Sequence, residues 1–412
     1  MAPRFSNAVT LPAYGAFYFS ALAFFDSTIL VPLYLHQTTD SPLLIAIASA
    51  VRPLGFALPQ LFMAGYVARH PDLPRLIFRI LIITRGCMIL TAASILLALP
   101  YRTAGIIFLV CFTIFSFGEG LVQVPWMVLF GRTIDKEKRG HVLGTMQSFG
   151  GIGGFLGSIT VRLILLSPLW PFPWNYALLF TLGTALLLLS AGAVRFAHDR
   201  PHSPQEPQAV SSLLRQLPED LRTHRPFARL LPIQILMSSN VLGFPFYILY
   251  IKSLGFLPPD AVGLLIVMQV IGQIAGGQLL GYCSDHWSNR RTIQVTLTTN
   301  LLIPLVFLYL VHAPDSWQYP LTCLVFVALG SVLGGWLGFV NYLMDTTPAD
   351  KRAFFISISN LFSAPMALLP ILFGTSSPHL AFGVVASLEG LALLLTQFLP
   401  TAQEIANAKK LP

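Results

Sequence analysis

Long apolar blocks alternate with short polar stretches along nearly the whole chain. A helix needs about 20 mostly apolar residues to cross a bilayer. Twelve blocks reach that length. They are 11–35, 43–67, 76–99, 104–129, 143–166 and 174–195 in the first half, and 230–252, 260–282, 292–312, 318–343, 354–374 and 379–399 in the second. The pattern predicts an all-α membrane protein with twelve transmembrane helices. A spanning barrel would show short segments of alternating polarity instead, a pattern the chain lacks.

Composition points the same way. Of the 412 residues, 55% are hydrophobic and 10% charged, whereas soluble proteins carry about 25% charged residues. A formal charge of +8 would raise nucleic acid as a partner of a soluble chain. Here the basic residues flank apolar blocks, so they set topology, and no nucleic-acid partner is expected. With a cytoplasmic N-terminus, 20 of the 25 Lys and Arg fall in cytoplasmic segments, and Arg102 and Lys252 on the opposite face. Both termini are therefore expected on the cytoplasmic side, in a plasma (inner) membrane, with the lipid bilayer as the surrounding partner. The block 11–35 is too long for a signal-peptide core and contains Asp26, so it reads as a span and not as a cleaved signal. Cys87, Cys111, Cys283 and Cys323 lack metal-ligand or disulfide-framework spacing. No span carries a His-x-x-x-His pair, and neither a metal site nor a cofactor is expected.

The longest polar stretch, 196–229, reads as a cytoplasmic linker between a six-helix bundle at 1–195 and another at 230–412. Its part from 211 to 231 is amphipathic enough for a surface-lying helix. The two halves repeat. Gly65-Tyr66-Val67-Ala68-Arg69 after the second block matches Gly281-Tyr282-Cys283-Ser284-Asp285 after the eighth, 216 positions on. Asp135-Lys136-Glu137-Lys138-Arg139-Gly140 after the fourth matches Pro348-Ala349-Asp350-Lys351-Arg352-Ala353 after the tenth, 213 positions on. Two matches at nearly one offset predict pseudo-symmetric bundles.

Six plus six spans, a basic central loop and these loop motifs resemble the major facilitator superfamily of secondary transporters. The family's signature loop, Gly-x-x-x-Asp followed by basic residues, is similar to Gly281, Asp285, Arg290 and Arg291. The loop from Arg139 also resembles the family's, and Arg352 is its repeat partner. The resemblance implies a cytoplasmic lock made by charge contacts of the signature loop, and a central cavity lined by the first, fourth, seventh and tenth spans. In the first-half copy, Arg69 stands where the repeat predicts the aspartate, and Asp72 follows three residues later. The glycine-rich stretch 150–157 lacks the proline of the family's antiporter pattern, so antiport does not follow from it.

Charged side chains inside spans are the main functional candidates, because each costs about 2.5–3.5 kcal/mol at a helix centre on insertion scales. The acids are Asp26, Glu119 and Glu389, and the bases Arg52, Arg85 and Arg162. Asp26 and Arg52 each lie nine residues from the outer ends of their blocks. Glu119 and Arg85 lie ten and nine residues from the inner ends of theirs. Matched depth predicts two intramembrane ion pairs, each either a site that handles protons or solute or a structural bridge. Arg85 reads as structural and Arg162 as an interfacial cation, while Glu389 stays open. Gln123, Asn240, Gln269, Gln273 and Asn341 are uncharged candidates for solute contact or for hydrogen bonds between helices. Gln269 and Gln273, four apart, share a helix face. Glycine stripes at 272 and 276, and at 330, 334 and 338, predict close helix packing.

The expected function is secondary active transport of a small amphipathic or moderately apolar solute by alternating access, with protons as candidate coupling ion. Proton-coupled export is the first reading and a solute uptake permease of the same fold the second. No Walker loop is present, so ATP is not the expected drive. A polytopic membrane enzyme would show His-Glu-x-x-His, Gly-x-Ser-x-Gly or clustered acids, none of which occurs, so no enzymatic activity is expected. A non-transporting, transporter-like receptor is the remaining class. The 13 residues after 379–399 give no expectation of an added signalling domain.

Overall fold

The structure, a computed structural model, describes residues 7–67, 70, 72–134, 139–199, 210–258, 261–333, 336–347, 352–374, 376–401 and 404. Every regular element among them is helical. The chain divides into two compact units, Met1–Ala209 with Pro259–Val267, and Val210–Pro258 with Met268–Pro412. The helices begin with α1 (Asn7–Leu22), α2 (Leu30–Thr39), α3 (Pro42–Val67), α4 (Leu73–Gly86), α5 (Ile89–Leu96), α6 (Tyr101–Thr133), α7 (Arg139–Leu166) and α8 (Trp174–Arg195). There follow α9 (Val210–Thr223), α10 (Arg225–Met237), α11 (Phe244–Ser253), α12 (Ala261–His286) and α13 (Asn289–Tyr309). The last are α14 (Asp315–Leu333), α15 (Trp336–Thr346), α16 (Arg352–Ser363), α17 (Leu369–Phe373) and α18 (Pro378–Leu395).

Among the described residues, nine helices are long and apolar enough to cross a membrane, or ten if one bent pair is a single span. The bent pair is the block 11–35. A 3-10 turn, Ala23–Phe25, ends its first part, and the two parts meet at 40°. The cause is local. Asp26 Oδ1 accepts from Thr28 N–H at 3.0 Å, from Thr28 Oγ1 at 2.8 Å and from Ile29 N–H at 2.6 Å. Such side-chain-to-backbone bonds compete with helix continuation. Pro32 lies in the first turn of α2, where its missing N–H breaks no helical bond. Among the described residues, the blocks 318–343 and 354–374 are not counted with these spans. The former is described as α14 and α15 on either side of positions 334 and 335, which lie outside the described residues, and the latter carries a 3-10 turn at Ala364–Leu368 before α17.

Two features repeat along the chain near the offset of the loop motifs. The block 230–252 is interrupted, like the first block, by a 3-10 turn, Ser238–Leu242, which starts 215 positions after Ala23–Phe25. The starts of α4 and α13 are capped alike. Asp72 Oδ1 accepts from Arg75 N–H at 3.1 Å, and Ser288 Oγ accepts from Arg291 N–H at 3.2 Å. Cap and donor are each 216 positions apart in the two copies. A cap of this kind contributes about 1 kcal/mol. Asp72, displaced from the signature position, therefore serves as a helix cap.

In the first unit α6 packs on α3 and α4, and α1 on α7 and α8. Its core includes Leu11, Ile77, Leu81, Trp126 and Leu129. In the second unit α13 packs on α18, and α10 on α15, α16 and α18. The stretch anticipated as a linker contains α9, whose Leu217 joins a core with Phe227, Leu230 and Phe355. Helices α12 and α14 approach through glycine. A Cβ on Gly272 would collide with the Val327 carbonyl, and one on Gly330 with the Gln269 carbonyl. Backbone cannot give way there as a side-chain tip can. Gly330→Leu is expected to destabilise the protein by about 1–3 kcal/mol or more, whereas Gly277→Ala, which meets nothing within 4 Å, should leave stability nearly unchanged. Thermal unfolding in detergent, with size-exclusion profiles, checks the contrast.

Candidate functional site

The first unit has a polar centre built on α1, α3, α4, α6 and α8. The segment Gly118-Glu119-Gly120 of α6 makes it possible. A Cβ on Gly118 would strike Thr84 of α4, and one on Gly120 the Gly55 carbonyl of α3. The two glycines thus bring both neighbouring helices close beside the carboxylate. Arg85 follows Thr84 and reaches Glu119 with two parallel bonds, Nε to Oε1 at 2.8 Å and Nη2 to Oε2 at 3.1 Å. Arg85 is fully buried and Glu119 is 5% exposed.

Two of the three remaining N–H donors of Arg85 are also engaged. Nη1 donates to the Leu187 carbonyl of α8 at 3.1 Å, and Nη2 makes a long bond to Tyr14 Oη at 3.4 Å. The guanidinium lies over the rings of Tyr14 and Tyr18, 5.4 and 5.0 Å from their centroids. Desolvated cation–π contacts contribute about 2 kcal/mol. Ser190 Oγ donates to the Tyr14 carbonyl at 2.6 Å and fixes α1 to α8. Tyr14 stacks on Trp126, with centroids 6.2 Å apart. The buried Trp126 Nε1–H has no acceptor among the described residues.

Tyr18 links this pair to a second cation. Arg52 Nη2 donates to Tyr18 Oη at 3.2 Å, and the Arg52 guanidinium lies 5.1 Å from the Phe115 centroid. Depth in the membrane matched Arg52 to Asp26 and Arg85 to Glu119. The structure forms the second pair. Of the first two residues, Asp26 accepts from Thr28 and Ile29 of its own turn, and Arg52 donates to Tyr18. The tyrosines are the residues that sequence reasoning missed. Their signal was a four-residue spacing on α1, which places both on one helix face.

The other candidates scatter. Gln123 is half-buried on α6, one turn beyond Glu119. Asn240 lies in the 3-10 turn Ser238–Leu242. Gln269 is buried on α12, and Gln273 on the same helix is exposed. Asn341 belongs to a donor chain at the loop end of the second unit. Its Nδ2 donates to Ser284 Oγ at 3.0 Å, Ser284 Oγ donates to Asn289 Oδ1, and Asn289 Nδ2 donates to Asp345 Oδ2 at 2.6 Å. This chain joins α12, α13 and α15 around the loop that follows Gly281. Arg290 Nη2 donates to the Gln397 carbonyl at 3.2 Å, at the end of α18. The side chains of Asp285, Arg139 and Arg352 lie outside what is described; Arg139 and Arg352 are the first residues of α7 and α16. Glu389 on α18 is fully buried. Neither of its oxygens completes a hydrogen bond among the described residues, although Asn300 of α13 faces it. Among the described residues no three His, Cys, Asp or Glu side chains gather as metal ligands would.

The sequence profile of the Major Facilitator Superfamily matches residues 14–370. No curated protein matches the chain significantly. Solved structures do. A single-residue mutant of the nucleoside transporter NupG superposes with a TM-score of 0.72 at 11% identity, covering 96% of this chain and 100% of that one. The xylose transporter XylE from E. coli gives 0.70 at 12%, covering 96% and 98%. A bacterial homologue of the iron transporter ferroportin gives 0.70 at 13%, covering 95% and 98%. At such identities the likeness shows the fold alone.

A buried ion pair adds little net stability, but removing one partner strands the other charge and costs about 3–5 kcal/mol. Glu119→Gln is therefore expected to lower the unfolding temperature sharply. Arg85→Met combined with Glu119→Leu should recover most of the loss. Thermal denaturation of the single and double variants in detergent checks this; a Glu119→Gln protein as stable as the wild type would refute it.

Proposed function

We propose, from the premise that this chain belongs to the Major Facilitator Superfamily, that it is a secondary transporter exporting a small amphipathic solute by alternating access, driven by protons. The profile match over residues 14–370 is the observation that carries the transport reading. Multiple long apolar helices make the chain an integral, multi-pass membrane protein. The basic residues favour cytoplasmic termini in an inner membrane.

The solute class is argued from the first unit. Arg52 makes one hydrogen bond to described residues and keeps further N–H donors. Trp126 keeps its indole N–H. Tyr14, Tyr18 and Phe115 surround these donors with aromatic surface. Donors set in aromatic walls suit a molecule with an apolar body and hydrogen-bond acceptors. Such a molecule partitions into the bilayer unaided, so its movement needs a carrier mainly in the outward direction.

Proton coupling needs an acid whose oxygens are not already committed. Asp26 holds its turn together and Glu119 is clamped by Arg85. Glu389 is the in-span acid whose oxygens complete no hydrogen bond among the described residues. We assign it the coupling role, in place of Asp26. Proteoliposomes under a pH gradient, tested against a panel of amphipathic compounds, sugars and nucleosides, are expected to accumulate an amphipathic compound. Glu389→Gln should lose gradient-driven accumulation and keep solute counterflow. If the protein moves no compound of the panel, the transport reading fails. If Glu389→Gln accumulates solute like the wild type, the coupling assignment fails alone.

A further inference from the structure

On the second unit an open groove of about 490 Å³ runs along α13, lined by Trp287, Arg291, Gln294, Val295, Thr298 and Thr299. Its volume falls within the range of about 300–1,000 Å³ usual for small-ligand sites. Helix α13 has two faces. Ile293, Leu297, Asn300, Ile303 and Phe307 are buried. Arg291, Thr298, Leu302, Leu305 and Tyr309 are exposed, as is Trp287 in the turn before the helix. The exposed stripe is cationic and hydroxylated near the preceding loop and apolar further along. From Arg291 to Leu302 the helix rises about 16 Å, close to the half-thickness of a hydrocarbon core of about 30 Å. From its cationic end at Arg291 to Leu302 the stripe therefore spans about one leaflet, headgroup level first and acyl-chain depth after.

Charge singles out Arg291 within this stripe. Its backbone N–H goes to Ser288, and its guanidinium has no ion pair or hydrogen bond among the described residues. Its neighbour Arg290 donates to the Gln397 carbonyl. Its counterpart in the first unit, Arg75, pairs with Asp72 at 3.0 Å. An exposed cation beside an exposed indole, at the polar end of an apolar stripe, complements an anionic headgroup.

We propose that this groove binds an anionic phospholipid, with Arg291 at the phosphate, the Trp287 indole N–H beside the headgroup and the stretch from Val295 to Leu302 along an acyl chain. The assignment rests on the membrane reading of the chain and is independent of any transported solute. The test uses full-length protein in detergent, titrated with short-chain phosphatidylglycerol, short-chain phosphatidylcholine or inorganic phosphate, with bound ligand counted by native mass spectrometry. Phosphatidylglycerol is expected to bind more tightly than phosphatidylcholine. Arg291→Gln should weaken it about fivefold, the effect of removing one basic residue from an anionic surface. Arg291→Lys should restore binding, and Arg75→Gln should not alter it. If Arg291→Gln does not fold, Trp287→Ala supplies the same comparison and should also weaken binding. Equal affinity for the two lipids, or unchanged phosphatidylglycerol binding in folded Arg291→Gln, would overturn the site. Inorganic phosphate binding with the same dependence on Arg291 would make it a free-anion site and overturn the lipid assignment. The readout does not involve transport, so its failure and that of the transporter reading are distinguishable.

Discussion

Arg85 and Glu119 meet where solvent reaches neither in any quantity, and a lone charge there would be costly. Their attraction offsets that only if the geometry is good and the remaining donors are satisfied. Both conditions constrain the surrounding helices. Two parallel bonds fix α4 against α6, the bond to the Leu187 carbonyl fixes α8, and the stacked tyrosines fix α1. Glycines on either side of Glu119 permit the approach. Arg52, on α3, joins through the Tyr18 hydroxyl. Five helices of the first unit are thus arranged around one guanidinium.

The second unit repeats backbone features of the first but not this chemistry. Capping at the starts of α4 and α13 and the 3-10 interruptions at Ala23–Phe25 and Ser238–Leu242 recur near one offset. The polar content differs. The second unit places its hydrogen-bonded side chains at the loop end, in the chain from Asn341 through Ser284 and Asn289 to Asp345. Deeper in, it holds the buried Glu389 beside Asn300. A duplicated scaffold keeps what a helix needs anywhere, such as a cap for its free N–H groups. Charged side chains answer to local function and are free to diverge.

Helix class and most span positions were legible because a bilayer filters sequence severely. A backbone in hydrocarbon must satisfy its own hydrogen bonds, so long apolar blocks imply helices. Breaks were harder to read. The carboxylate at position 26 registered as an in-span charge, whereas it ends a helix by bonding to Thr28 and Ile29. Asn341, a candidate for solute contact or for hydrogen bonds between helices, bonds to Ser284 of α12 in the loop-end network, a partner that residue type and span could not name.

The pairing of acids and bases shows where the limit lies. Position along a helix gives depth, because rise per residue is constant, and depth alone led correctly from Arg85 to Glu119. The same reasoning led from Asp26 to Arg52, but it gave no sign of the bonds from Thr28 and Ile29 to Asp26 or of the bond from Arg52 to Tyr18. Depth is one coordinate. Which way a side chain points around its helix, and which helix stands opposite, depends on packing between segments far apart in sequence. Sequence by itself therefore determined the helical membrane class, the internal repeat and which charges lie within apolar blocks. Tertiary structure alone decided that Tyr14 and Tyr18 flank Arg85, that Tyr18 connects it to Arg52, and that Glu389 faces Asn300, because those contacts depend on helix neighbours and rotation, which no local pattern encodes.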